Sequence, residues 1–144
     1  MAEAFIVAAA RTAGGRKGGR MSGWHPADLA AQVLDALIAR TGIDPALVED
    51  VIMGCVGQAG EQSANVARNA VLASKLPESV PGLTVNRLCA SGMDAVIVGA
   101  RAIRDGADLI IAGGVESMTR VPMGASSVLP AKNGMGHYMS PQMQ

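Results

Sequence analysis

The chain has 144 residues, 49% of them apolar, and 12 basic side chains balance 12 acidic ones. This excludes wholesale disorder, and the zero formal charge removes the electrostatic case for nucleic acid or an anionic membrane as partner. Phe5, Trp24 and Tyr138 are the only aromatic residues, and two cysteines, Cys55 and Cys89, fall short of a disulfide framework.

A core built from Ala, Val, Ile, Leu and Met, with glycine allowing close backbone approach, suits a helix-covered parallel sheet better than an aromatic-rich sandwich. "AFIVAAA" (4–10) is a short apolar run ended by Arg11, and it reads as a first, buried strand. The acidic residue ahead of it argues against a signal peptide, and no run reaches the length of a membrane span. A reducing, cytoplasmic compartment is the simplest expectation. "RTAGGRKGGR" (11–20) places four cations among four glycines and reads as a solvated loop.

Pro26 then opens a helical pattern. Leu29, Val33 and Leu37 recur at four-residue spacing beside Ala30, Leu34 and Ile38, with Gly42 as the stop. Asp44 caps a single turn that starts at Pro45. "VIMGCVG" (51–57) is the second strand. The next helix carries Val66, Ala67, Ala70 and Val71 on one face, with Ser63 as its cap. "GLTVN" (82–86) is the third strand. A helix is predicted from Ala90 to Asp105 with Met93, Val96, Ile97, Ala100 and Ile103 as its apolar stripe, and "DLIIAGG" (108–114) is the fourth strand. The order βαβαβαβ predicts parallel pairing through right-handed crossovers. Residues 120–144, rich in proline and methionine, show no sustained periodicity, so the doubly wound sheet ends in an open loop.

Cys89 falls where a β-branched run stops and a helix begins. A helix N-terminus offers unpaired N–H groups and the positive end of the dipole, which stabilise a thiolate, the reactive form of the thiol. Strand-to-helix junctions also lie at the carboxyl edge of a sheet, where open α/β folds place their sites. Gly92, in the first turn, allows a substrate or second loop to come close. Spacing alone leaves the other reading open, in which Cys89 is a small buried hydrophobe. Cys55, mid-strand among apolar neighbours, reads as packing. His25 and His137 are the available imidazoles, and neither lies in a motif that places it beside Cys89. No metal-ligand cluster, Walker loop or GxGxxG occurs, and "AGGVES" lacks phosphate-loop spacing.

"NRLCASGMDAV" (86–96) resembles the N-terminal active-site signature of the thiolases. "IVAAARTAGGRKGG", "VIMGCVGQAGEQSANVARNA" and "IIAGGVESMTRVP" resemble further segments of that family in order and spacing, so that the likeness covers residues 4–123. It implies a thiolase-like α/β fold: an incomplete N-terminal βαβαβαβ half with a mixed, mainly parallel sheet and covering helices. Residues 1–119 would form that half without its last strand, and 120–144 would begin the loop domain over the coenzyme A pocket. The C-terminal half, with its activating histidine, acid/base cysteine and asparagine-held water, is absent.

The resemblance also implies an acyl-CoA C-acyltransferase that cleaves 3-ketoacyl-CoA with CoA, or condenses two acetyl-CoA into acetoacetyl-CoA, through an acyl-cysteine intermediate. Cys89 would be the nucleophile, with its backbone N–H in the oxyanion hole. Asn86, Ser91 and Gly92 would shape the turn. Acyl-CoA and CoA are the expected partners, with CoA a substrate and no cofactor or metal required. A full-length protein would be a homodimer or homotetramer, and this segment alone inactive. The alternatives are a catalytically inactive thiolase-like binding or scaffold subunit, and a ketosynthase-like condensing enzyme.

Overall fold

The computed structural model describes residues 3–135 and 141–143. Three strands form one parallel sheet: β1 (Asp50–Gly54) at the centre, β2 (Gly82–Val85) on one side and β3 (Ile110–Gly114) on the other. Val51 pairs with Gly82 and Ile111, and Gly54 with Val85 and Gly114, so the carboxyl ends of all three strands finish level. The helices are α1 (Pro26–Thr41), α2 (Val66–Ala73), α3 (Ser91–Arg104) and α4 (Ala125–Lys132), with 3-10 turns at Pro45–Leu47, Gly60–Gln62 and Pro141–Met143.

Side chains alternate across a strand, and β1 uses both faces. Val51, Met53 and Cys55 face α1 and α2, where they join Leu34, Val66, Ala67, Ala70 and Val71 in the main core. Ile52 and Gly54 face α3. The helix ends follow local chemistry. Asp44 accepts from the Ala46 N–H at 2.9 Å, and Gly42 closes α1 at φ 67°, a left-handed conformation that glycine takes without strain. The cap of α2 is Asn65 and not Ser63. Asn65 Oδ1 accepts from the Arg68 N–H at 3.0 Å, and its Nδ2 donates to the Gly82 carbonyl at 2.6 Å, so it ties the helix to β2 as well.

Two further expectations need correction. Residues 4–10 form no strand. They join no ladder, and Phe5, Ile6 and Val7 are about four-fifths exposed, because no described strand lies beside them. The edge of β3 faces them across a cleft of about 770 Å³, lined by Leu29, Val33 and Leu37 of α1 and by Val96, Ala100 and Ile103 of α3. The second correction concerns α3. Ser91, Ala95 and Gly99 are its buried face, and Met93, Val96 and Ile97 lie outward. Small residues let the helix sit close on the sheet: a Cβ on Gly99 would be 3.1 Å from the Ile110 side chain. The strands and helices otherwise fall where the periodicity puts them, and α4 adds a helix where no periodicity announced one.

Candidate active site

β2 ends at Val85, α3 begins at Ser91, and the five residues between them make a tight elbow at the carboxyl edge of the sheet. Two polar side chains hold it. Asn86 Oδ1 accepts from the Leu88 N–H at 2.9 Å, while its Nδ2 donates to the Val56 carbonyl at 3.2 Å. Ser91 Oγ accepts from the Arg87 N–H at 2.8 Å and donates to the Leu88 carbonyl at 2.6 Å. Between these clamps Leu88 adopts φ 49°, a left-handed conformation that costs a non-glycine residue about 1–3 kcal/mol. The fold imposes that cost on the residue immediately before Cys89.

Cys89 is exposed and Cys55 is buried. Cys89 stands one residue ahead of Ala90, the N-cap of α3, which offers no side-chain acceptor to the first turn. Burial pushes the Cys55 thiol up to about 12, and the neighbouring Glu116 carboxylate adds to the shift by disfavouring a second negative charge. Cys55 therefore stays a neutral, packed thiol at physiological pH.

Sequence reasoning missed the loop that supports the elbow from below. The Glu116 carboxylate accepts from the Val56 N–H at 2.7 Å, the Gly57 N–H at 3.1 Å and Gln62 Nε2 at 2.9 Å. Gln62 is fully buried. Its Nε2 also donates to the Gly57 carbonyl, and its Oε1 accepts from the Ser117 N–H at 2.6 Å. "GGVES" is thus a carboxylate-bearing turn that holds the 55–62 loop through its backbone. The adjacent Glu61–Arg120 ion pair lowers the Glu61 pKa and raises that of Arg120, chiefly through their mutual hydrogen bonds. Arg120 also donates to the Ser22 carbonyl, which fastens the segment after the glycine-rich loop to the same turn.

The sheet's own close approach to α3 is made at Gly54, and the space over the Gly92 backbone is open. A Cβ on Gly54 would lie 2.3 Å from the Ser91 carbonyl carbon, whereas one on Gly92 would meet nothing within 4 Å. His25 Nδ1 accepts from the Ala27 N–H at 3.2 Å and so serves as the cap of α1. His137 lies outside the described residues. Among the described residues no group of three or more His, Cys, Asp or Glu side chains forms a metal-binding cluster.

Residues 4–142 match the family described as thiolase, N-terminal domain. A steroid 3-ketoacyl-CoA thiolase of Mycobacterium tuberculosis is 47% identical over 135 residues, which is 93% of this chain and 33% of that protein. A beta-ketoadipyl-CoA thiolase of Escherichia coli is 54% identical over 124 residues, covering 85% of this chain and 31% of its own length. The crystal structure of the Bacillus anthracis acetyl-CoA acetyltransferase superposes with a TM-score of 0.70 at 39% identity, over 75% of this chain and 27% of that one. The chain spans about a third of the length of the curated relatives it matches. With this match running through the elbow, the 55–62 loop and the Glu116 turn alike, the chain belongs to the thiolase family and corresponds to its N-terminal portion.

Proposed function

We propose that this chain supplies the nucleophile of an acyl-CoA C-acyltransferase, with Cys89 as the acyl-accepting residue. The observation that carries the reading is the contrast between its two thiols: one exposed on a hydrogen-bonded strand-to-helix elbow, the other buried and held neutral. The relatives named above, thiolases acting on 3-ketoacyl-CoA and beta-ketoadipyl-CoA, support the substrate class.

In the cleavage direction Cys89 Sγ attacks the 3-keto carbon of a 3-ketoacyl-CoA. The bond between C2 and C3 breaks, acetyl-CoA departs after protonation at C2, and the shortened acyl group remains on sulfur. The thiol of a second CoA then takes that group and returns the cysteine. In reverse, two acetyl-CoA give acetoacetyl-CoA and CoA. The Cys89 N–H is proposed to stabilise the oxyanion of the acyl transfer. The thiol proton and the proton delivered to C2 require acid/base groups, assigned to the histidine and second cysteine of the C-terminal half.

On this reading residues 1–119 are the nucleophile-bearing half, 120–144 begin the loop domain, and the complete protein is a cytoplasmic homo-oligomer that uses CoA as substrate. The test is to trap the acyl-enzyme. The complete polypeptide carrying this segment is mixed with acetyl-CoA, quenched in acid and digested. An acetyl increment on the peptide containing Cys89 is expected, and an acetyl group found only elsewhere would overturn the assignment.

A further inference from the structure

We infer that Glu116 is a positioning residue for Cys89, acting through Val56, Asn86 and Leu88. The inference rests on the reading of Cys89 as nucleophile and adds to it a residue distant in sequence. The route is a continuous set of hydrogen bonds. The Glu116 carboxylate receives the Val56 and Gly57 N–H groups, fixing the orientation of the loop after β1. With its N–H held by Glu116, Val56 presents its carbonyl to Asn86 Nδ2. Asn86, anchored at that end, uses Oδ1 to hold the Leu88 N–H. Leu88 is the strained residue at φ 49°, and Cys89 follows it directly.

A strained backbone persists only where its surroundings over-determine it. Ser91, at the start of α3, supplies one constraint through Arg87 and Leu88, and the Asn86 side chain supplies the other by tying the elbow to Val56 outside it. The outside constraint is only as firm as the Val56 peptide, which is where Glu116 acts. A carboxylate suits this task because it accepts from two consecutive N–H groups and from Gln62 together, using charge-assisted bonds. An amide in its place keeps one acceptor oxygen and turns N–H groups toward N–H donors. Glu116→Gln therefore breaks the clamp with little change in volume.

The test compares wild type, Glu116→Gln, Asn86→Ala and the double variant in two measurements. The first is the backbone amide spectrum. Glu116→Gln is expected to move the Leu88 and Cys89 resonances while Ala30 and Leu34 of α1 stay in place, which separates loss of the clamp from loss of the fold. The second is the rate of Cys89 alkylation by iodoacetamide at fixed pH. A fall of about fivefold is expected in each single variant, the size that follows from losing one hydrogen bond. In the double variant the fall should be no larger than in either single one, because both residues act on one route. Glu116→Asp, which keeps the charge on a shorter side chain, should recover part of the rate.

Unmoved Leu88 and Cys89 resonances in Glu116→Gln, or effects that multiply in the double variant, would overturn the inference. Trapping of the acetyl group on another residue would instead remove the nucleophile reading, and the amide measurement would still report on the clamp.

Discussion

Gly54 lies so close beneath Ser91 that a methyl group on it would stand 2.3 Å from the Ser91 carbonyl carbon and 2.5 Å from the Gly92 nitrogen. The central strand thus touches the first turn of α3 backbone to backbone, and only glycine permits it. Gly54→Ala should force α3 away from β1, with a loss of about 1–3 kcal/mol in stability by chemical denaturation, the usual range for overpacking. Gly92→Ala, whose methyl would meet open space, should cost markedly less. Equal losses at the two positions would contradict this account of the elbow.

The buried thiol makes stability depend on alkaline pH. Folding raises the Cys55 pKa from 9.0 to about 12, so the unfolded chain releases the proton first. The stabilisation is complete below pH 9 and is lost as pH rises from there toward 12, at up to about 1.4 kcal/mol per pH unit. Urea denaturation at stepped pH should show this slope in the wild type, and Cys55→Ala should lack that component. Parallel profiles for the two would remove it.

The cleft between residues 4–10 and β3 should take up a strand from the rest of the protein. It has apolar helix faces on both sides and the edge of β3, which no other described strand pairs, the surroundings of a strand buried in a parallel or mixed sheet. The chain alone should therefore exchange the β3 amides that point into the cleft quickly and show no thiolysis of acetoacetyl-CoA above a Cys89→Ala control, because residues that act as a unit fail together. Continuing the chain with the C-terminal portion of a relative should slow exchange at Ile110 and Ala112, whose N–H groups point away from β1. Unchanged exchange there, with activity restored, would mean that the cleft is not filled by a strand.

The legible features were those fixed by local chemistry. Proline at the start of α1, glycine at its end, the Asp44 cap and the apolar β-branched runs of β1, β2 and β3 all state their structure within a few residues. The position of Cys89 at a strand-to-helix junction was legible for the same reason. Residues 4–10 misled because a buried strand needs neighbours, and apolar content cannot say whether they are present. The buried face of α3 was misread because sheet contact here selects Ala95 and Gly99, where periodicity counts the larger side chains. Glu116 and Gln62 escaped notice because their bonds span more than fifty residues of sequence.

The outer edge of β2 is proposed as the contact between copies of the complete protein. Among the described residues β2 ends the sheet on the side away from β3, no strand pairs with its outer edge, where Asn65 holds only the Gly82 carbonyl, and Leu83 is 42% exposed. An unpaired edge of this kind invites strand pairing. Light scattering at micromolar concentration should give at least a dimer for the complete polypeptide and a smaller species for Leu83→Lys. A monomeric wild type would contradict the proposal.

The central claim is that Cys89 is the reacting thiol, and competitive alkylation tests it most directly. The complete polypeptide is treated with limiting iodoacetamide near neutral pH, with and without acetyl-CoA, and the two cysteine peptides are compared by mass. The account predicts that the peptide containing Cys89 is labelled first and that acetyl-CoA slows its labelling, because an acetylated sulfur cannot be alkylated. Cys55, buried and protonated, should remain unlabelled until the protein unfolds. Labelling of Cys55 ahead of Cys89, or Cys89 labelling that acetyl-CoA does not slow, would contradict it.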